Sequence, residues 1–306
     1  MTAPADPAAA PEQSRSFTTG TGAHLAYRLR RASDGAASGA RRAVVLLHGM
    51  ASNSTRWTEF AQETLLTEQW DVLRIDLRGH GDSSFRGRVG LSVWCHDLAA
   101  VLAQEGIAQV VLVGHCLGAN LALHFAWHHP NEVVALVLIE PMLGPSLRGT
   151  LAWAARLRPV LTAAVPLLLA LAACGLHRRS LRPLDLAQLD GAARETLAAT
   201  GKFPEARFAS VREDLKSFPL VIYLQDLLAV TAPLPPLSEI VAPTLVLLAG
   251  GSGFSTLEHT RRQLAAMPQG EVTVLDAQHW IPTERPVAMR LAIERWCARH
   301  TPDNPA

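Results

Sequence analysis

Short runs of apolar residues recur along the chain, and they are continuous rather than alternating with polar positions. Such runs are typical of strands buried on both faces of a parallel sheet. Helical patterns separate the runs, and this alternation predicts an α/β fold with a doubly wound, mostly parallel sheet. The predicted buried strands are 43–49, 70–76, 109–115, 133–140, 243–251 and 271–279, with 24–31 as a further strand at the sheet edge. The predicted helices between them are 56–68, 91–105, 118–129, 255–267 and 285–300.

The alternation stops between residues 146 and 235, where helical patterns are punctuated by Pro and Gly and no buried strand is evident. We interpret this segment as an inserted helical lid over the carboxyl edge of the sheet, the edge where sites form in such folds. The sequence is thereby divided into a disordered tail (1–15), a core (16–145 and 236–300), a lid (146–235) and a second tail (301–306).

The lid contains an uncharged apolar stretch at 160–176, with arginines on both sides. It is shorter than the ~20 residues of a membrane span and has Pro166 inside. We expect it to be a lid helix whose Leu168 and Leu169 line an apolar substrate pocket. Weak contact of the lid with a lipid surface is the first alternative, and a true span is the second.

Composition removes several classes of function. Lys and Arg number 28 against 27 Asp and Glu, so the basic surplus of a nucleic-acid-binding protein is missing. The four cysteines form no C-x-x-C pair, which argues against structural zinc or a redox dithiol. The glycines at 250–253 lack the lysine and spacing of a phosphate loop. We therefore expect no metal and no cofactor. The first residues resemble no secretory signal, so the expected location is the cytoplasm.

The strongest local motif is Gly-His-Cys-Leu-Gly at 114–118, between a predicted strand and a predicted helix. It has the G-x-S-x-G spacing of a nucleophile on a sharp strand-to-helix turn, with Cys116 in place of serine. On this motif the chain resembles the α/β-hydrolase fold superfamily. Within it, a cysteine at this turn is similar to the dienelactone hydrolases and polyhydroxyalkanoate synthases. The resemblance implies Cys116 as the catalytic nucleophile.

Other landmarks of the superfamily follow in the expected order. His48-Gly49-Met50 resembles the oxyanion loop, which implies the backbone N–H groups of Met50 and Leu117 as the oxyanion hole. The segment 76–83 resembles the D-x-R-G-x-G-x-S loop, to which we assign no catalytic role. His279 follows the last strand, where the superfamily has its catalytic histidine. Besides the two lid leucines, the residues expected to line the substrate pocket are His48, His115 and Trp280.

The acid of the triad departs from the common pattern, because the loop at 250–255 contains no carboxylate. Glu140 ends the strand at 133–140, the place of the acid in haloalkane dehalogenases and some thioesterases. We assign Glu140 to orient His279. Asp276 and Glu258 are the alternatives, with loop shaping and a helix capping box at Ser255 as their competing roles.

The resemblance implies acyl transfer through a thioester on Cys116. The expected activity is hydrolysis of an ester or thioester of a hydrophobic fatty or polyketide chain, small or carrier-bound, with a thioesterase favoured. An acyltransferase or cyclase could use the same acyl-enzyme with an alcohol or amine acceptor. A ligand-binding protein with an inert Cys116 is the non-enzymatic alternative. The oligomeric state is open.

Overall fold

The computed structural model describes residues 11–33, 41–178 and 180–301. Within them, the chain forms one eight-stranded sheet with the order β1-β2-β4-β3-β5-β6-β7-β8. The strands are β1 (Gln13–Thr18), β2 (His24–Arg30), β3 (Arg41–Leu47), β4 (Asp71–Ile75), β5 (Ile107–His115), β6 (Val133–Ile139), β7 (Thr244–Ala249) and β8 (Gly270–Leu275). The helices, in chain order, are α1 (Thr58–Glu63), α2 (Leu91–Glu105), α3 (Leu117–His128), α4 (Gly149–Arg156), α5 (Arg158–Ala173), α6 (Leu186–Thr200), α7 (Glu205–Phe208), α8 (Val211–Ser217), α9 (Leu220–Val230), α10 (Leu257–Leu264), α11 (Ile281–Glu284) and α12 (Pro286–His300).

The six strands from β3 to β8 run parallel, whereas β2 is antiparallel to both of its neighbours. The prediction that 24–31 lies at the edge of the sheet is wrong, because β1 pairs along its outer side. Since β1 starts at Gln13, it also begins inside the predicted tail of 1–15. Its sequence QSRSFT alternates between exposed and half-buried positions, so it lacks the apolar run by which the other strands were found. The tail predictions for 1–10 and 302–306 lie outside the described residues.

Two apolar layers cover the sheet. On one face, α2 and α3 contribute fully buried side chains such as Leu98 and Phe125. On the other, α1 and α12 contribute Phe60, Ile293 and Trp296. Strands covered on both faces need no polar positions, which explains the continuous apolar runs of the central strands. The prediction that 271–279 is a buried strand is wrong, because β8 lies at the edge of the sheet and its positions are exposed or half-buried. Because β3 to β8 run parallel, their carboxyl ends lie along one common edge of the sheet.

The six helices α4 to α9 lie between β6 and β7 in the sequence, in the segment predicted as the lid. α5 packs against α9, and α9 in turn packs against α3 of the core. No single helix among the described residues has the length and apolar composition to cross a bilayer. The pair α4 and α5 meets both criteria together, but the two helices are bent by 79° relative to each other.

Candidate active site

Cys116 lies on the tight turn between β5 and α3. Its backbone has φ 53° and ψ −111°, outside the conformations that residues with side chains prefer. A Cβ added to Gly114 would lie 2.3 Å from the carbonyl oxygen of Gly118, and one added to Gly118 would lie 2.3 Å from that of Leu47. The spacing of the motif is therefore set by backbone packing, which leaves room for glycine alone at positions 114 and 118.

Backbone strain is concentrated around this turn. Among the described residues, the non-glycine positions with positive φ are Ala51, Cys116 and Glu140, at 47°, 53° and 49°. Ala51 and Cys116 line the same cavity, and the side chain of Glu140 bonds to His279, which also lines it. Such conformations cost of order 1–3 kcal/mol each and persist where the surrounding structure enforces them.

Glu140 and His279 come together although 139 residues separate them. The Nδ1–H of His279 donates to Glu140 Oε2 at 3.0 Å. The second oxygen of this carboxylate accepts from the backbone N–H of Ala249 at 2.7 Å. Both side chains are almost completely buried. The Glu140 carboxylate is thus held at the end of β6 in the contact with His279 that the sequence predicts.

The Cys116 side chain lies close enough to His279 to affect its pKa. Burial alone would lower the pKa of the imidazole. The interactions with Cys116 and Glu140 outweigh burial and raise the pKa of His279 to about 10. The imidazole is therefore protonated at neutral pH.

The two alternative acids lie away from His279. The Asp276 side chain is fully exposed and pairs with Arg285, with Oδ2 3.1 Å from the guanidinium. Glu258 is exposed and forms an ion pair with Arg262. The predicted capping box at Ser255 is wrong, because the residue that caps α10 is Thr256, whose side chain forms no cap hydrogen bond.

The two proposed oxyanion donors flank the nucleophile. Leu117 is the first residue of α3, and Met50 follows Gly49, whose added Cβ would lie 3.4 Å from the Cβ of Cys116. In the described part of the chain, the N–H groups of Met50 and Leu117 have no hydrogen-bond acceptor. These groups remain available to a negative oxygen above Cys116, where the partial positive charge of the α3 N-terminus adds to their effect.

The prediction that His48 and His115 line the substrate pocket does not fit the structure, because both are buried beneath its wall. His48 Nε2 accepts from the N–H of Leu77 at 3.1 Å, and its Nδ1–H donates to the carbonyl of Gly49 at 2.9 Å. His115 Nε2–H donates to the carbonyl of His279 at 3.2 Å. Burial lowers the pKa of both rings well below the usual value. These neutral histidines hold the oxyanion loop and the backbone of His279 in position.

A cavity of about 510 Å³ lies above Cys116 and His279. Trp280 lines it as predicted, and this indole packs against Phe203, Phe208 and Phe254. Leu168 and Leu169 do not line it, which corrects the expected role of α5. They lie on a helix one layer further out, since α9 packs between α5 and the core. The larger apolar lid residues that line the cavity are Leu151, Leu184, Leu186, Leu189, Phe208, Val211, Leu227 and Val230.

Several polar lid residues at this site were not found from the sequence. Asp214 lines the cavity, and burial raises the pKa of its carboxyl to about 7. Behind the wall, His80 Nε2–H donates to Asp226 of α9 at 2.8 Å, with both side chains fully buried. Asp226 is the single charged residue of α9, and this is the one signal that could have revealed the pair.

No group of three or more His, Cys, Asp or Glu side chains within the described ranges could hold a metal ion. A family model described as alpha/beta hydrolase fold matches residues 42–167. The structure of a thermophilic esterase from Thermogutta terrifontis aligns with 94% of this chain and 99% of its own at a TM-score of 0.67, with 22% identity. The chain has the α/β-hydrolase fold.

Several proteins with similar sequences are named as hydrolases. The chain is 28% identical to the sn-1-specific diacylglycerol lipase ABHD11 of Mus musculus over 254 residues, which are 80% of this chain and 77% of the relative. It is 32% identical to the putative carbamate hydrolase RutD of Caulobacter vibrioides over 128 residues, which are 41% of this chain and 45% of that relative. These similarities support hydrolase activity.

Proposed function

We propose that the protein hydrolyses esters or thioesters of hydrophobic acyl chains through a covalent thioester on Cys116, with thioesters preferred. The observation that carries this proposal is the position of Cys116 next to His279, which is hydrogen-bonded to Glu140, at one cavity. A nucleophile, a base and an orienting acid in contact are the requirement for this type of catalysis.

The first half of the reaction forms the acyl-enzyme. The Cys116 thiolate attacks the substrate carbonyl carbon, and the carbonyl oxygen becomes negative beside the N–H groups of Met50 and Leu117. When the carbonyl re-forms, the bond to the leaving group breaks, and that group takes the proton from His279. Glu140 remains a carboxylate and stabilises the protonated ring throughout.

The second half of the reaction regenerates the enzyme. Neutral His279 removes a proton from water, and the resulting hydroxide attacks the thioester carbon. The bond to Cys116 Sγ then breaks, which releases the carboxylic acid and restores the thiolate beside protonated His279. An alcohol or amine that replaced water here would give the transferase reaction.

Leaving-group chemistry favours a thioester substrate. A thiol with a lower pKa leaves faster, and an alkoxide is a much stronger base than a thiolate. In the intermediate from an oxygen ester, Cys116 is therefore the better leaving group and is expelled more readily than the alcohol. In the intermediate from a thioester, two thiolates compete on similar terms. Two relatives are named as a diacylglycerol lipase and a putative carbamate hydrolase. Oxygen esters and carbamates are therefore the substrates with which thioesters should be compared.

The cavity supports an apolar acyl group. Its walls include Leu151, Val230, Phe254 and Trp280, and such side chains bind hydrocarbon by removing it from water. Charged residues also line it; they are Arg56, Arg182, Arg207, Glu213, Asp214 and Lys216. About 510 Å³ is within the range of ligand pockets of roughly 300–1,000 Å³.

Intact-protein mass spectrometry tests the proposal. Wild-type protein is mixed with acetyl, hexanoyl and decanoyl thioesters and the matching oxygen esters, then quenched in acid within seconds. We expect the mass of the acyl group to be added, its site to be Cys116 by peptide mapping, and Cys116→Ala to add nothing. Free acid should appear without an added acceptor. Release only with an alcohol or amine would identify a transferase, and acylation of neither substrate class would leave a binding protein.

Alkylation by iodoacetamide separates a reactive from an inert cysteine. Cys174 is exposed and would react as well, so the assay uses the Cys174→Ser background. Cys116 should then label at neutral pH far faster than a free cysteine of ordinary pKa near 8.5. Labelling slower than that of such a model thiol would contradict a catalytic role.

A further inference from the structure

The outer face of α4 and α5 is an exposed apolar surface. Trp153, Val160 and Leu167 expose 63%, 66% and 62% of their area. Every exposed position of α5 except Thr162 is apolar, and the inner positions are apolar too apart from Arg158, which donates to the carbonyl of Leu228. A helix that is apolar all round requires an apolar partner on its outer face as well. We call this surface the lid stripe; its large members are Trp153, Leu157, Val160, Leu167, Leu171 and Leu176.

The basic residues of α4, α5 and the segments beside them are not matched by acids of the same stretch of chain. The sequence contains no Asp or Glu from Pro141 to Leu184. The guanidinium of Arg156 lies over Trp153, 5.5 Å from the ring centroid. Among the described residues, the exposed Arg148 and Arg156 at α4 lie more than 4.0 Å from every carboxylate. Arg178 donates to the carbonyls of Ser180 and Leu215, and Arg182 lines the cavity. Arg148 and Arg156 therefore supply positive charge that can pair with an external anion.

From these two observations we propose that the lid stripe docks on an anionic lipid bilayer, with α4 and α5 lying in the interface rather than spanning it. Leucine and tryptophan side chains would enter the acyl boundary, and the arginines would contact the lipid phosphates, as in amphipathic interfacial segments. A second copy of the chain fits less well, because a symmetric contact through this face would bring the arginines of both copies together without acids between them.

Docking in this way would bring the cavity close to the lipid. Thr150 and Leu151, at the start of α4, line the cavity, while Trp153 on the same helix belongs to the lid stripe. An apolar substrate could then pass from the bilayer to Cys116 without crossing bulk water. The docking itself does not require the reaction at Cys116.

Vesicle cosedimentation of the full chain tests the docking directly. The probes are vesicles of pure phosphatidylcholine and vesicles that also contain 30% phosphatidylglycerol, on the order of the anionic content that attracts basic segments. We expect the wild type to bind the anionic vesicles, and Leu167→Asp to lower the partition coefficient by about ten-fold or more. Arg156→Gln should lower it about five-fold on the anionic vesicles, the effect of one basic residue near the surface.

Leu65→Asp is the matched control. Leu65 has 63% exposure, close to that of Leu167, but it precedes β4 at the amino edge of the sheet, opposite the lid. This variant should bind like the wild type. Melting temperatures show that each variant is folded, which is expected because the replaced side chains are mostly exposed.

Four results would overturn the proposal. The wild type fails to bind anionic vesicles; it binds both vesicle types equally; Leu167→Asp binds like Leu65→Asp; or light scattering shows a dimer that Leu167→Asp dissociates, with no vesicle binding. The last result would assign the lid stripe to a second copy. Because binding is measured without substrate, none of these outcomes depends on whether Cys116 is catalytic.

Discussion

Individual cysteines of this chain differ in their surroundings. Burial raises the pKa of the Cys95 and Cys297 thiols to about 12, which keeps them protonated and inert. Cys116 is also buried, but it lies beside His279 at the start of α3. A nearby imidazolium and a helix N-terminus are the two features that favour a thiolate. The surroundings of Cys95 and Cys297 therefore disfavour reaction, whereas those of Cys116 are the ones that the proposed mechanism requires.

Substitution of Cys116 tests the nucleophile. Cys116→Ala should abolish turnover, because no group remains to form the acyl-enzyme, while the melting temperature stays close to that of the wild type. Cys116→Ser should retain a small fraction of the activity, since His279 can deprotonate a hydroxyl as well. Steady-state rates on a hexanoyl thioester are the measurement. Wild-type rates from Cys116→Ala would rule out the covalent mechanism.

Substitution of Glu140 tests the orienting acid. Glu140→Gln should lower kcat by about 10–10³-fold, less than the ~10⁴-fold loss in a serine triad, with little change in KM. It also removes one of the groups that raise the pKa of His279. The leaving group needs the proton of His279, so the alkaline limb of the kcat/KM profile, expected near pH 10 in the wild type, should move to lower pH.

The control for Glu140→Gln is Asp276→Asn, because the Asp276 carboxylate is exposed and bonds to Arg285. Its alkaline limb and kcat should match those of the wild type. An unchanged limb in Glu140→Gln, or a larger effect in Asp276→Asn, would show that Glu140 does not act through His279.

At the level of helices, α9 and α5 have different roles in the lid. α9 lines the cavity with Tyr223, Leu227 and Val230, whereas α5 covers α9 from outside. Leu227→Asp should therefore reduce kcat/KM for a decanoyl substrate by at least ~10-fold more than for an acetyl substrate, because a charge replaces apolar contact with the chain.

Leu168→Asp is the matched substitution on α5, where Leu168 is also half-buried but faces away from the cavity. It should affect both chain lengths alike after correction for the folded fraction. A selective loss of decanoyl activity in Leu168→Asp, or a uniform loss in Leu227→Asp, would contradict this division of the lid.

The core strands and helices could be predicted because burial on both faces leaves a direct trace in sequence. The nucleophile motif could be predicted because the turn at Cys116 tolerates only glycine at positions 114 and 118. β1 could not, since its sequence QSRSFT contains no apolar run. The apolar residues of β8 revealed a strand but not its exposure at the sheet edge. The pocket role of Leu168 and Leu169 could not be predicted either. A helix that is apolar all round has no periodic signal to show which face meets the substrate.

Across the whole molecule, the buried pair His80–Asp226 joins the lid to the core. Burial lowers the pKa of His80, but the charge and hydrogen bond of Asp226 outweigh this and raise it. The pair therefore stabilises the fold fully below the unfolded-state pKa of about 6.5. Its contribution is lost as the pH rises through the raised pKa of the folded state.

Asp226→Ala should lower the free energy of unfolding by about 3–5 kcal/mol, because it leaves His80 buried without its counter-charge. Urea unfolding at pH 6 is the measurement, and repeating it at increasing pH should show the difference from wild type shrinking. Asp82→Ala, an exposed acid in the same loop as His80, is the control and should change stability by less than ~0.5 kcal/mol. A loss below ~1 kcal/mol in Asp226→Ala would show that the pair is not needed to hold the lid.

The left-handed residues Ala51, Cys116 and Glu140 have an evolutionary consequence. In a lineage that lost the proposed reaction, glycine at any of these sites would relieve roughly 1–2 kcal/mol of strain, so selection for stability would favour it. In a lineage that kept the chemistry, the thiol and the carboxylate would be retained against that pressure. Position 51, whose side chain is one methyl group, would be free to become glycine in both. Glycine at 116 or 140 among descendants of this sequence would therefore mark lineages in which the activity has been lost.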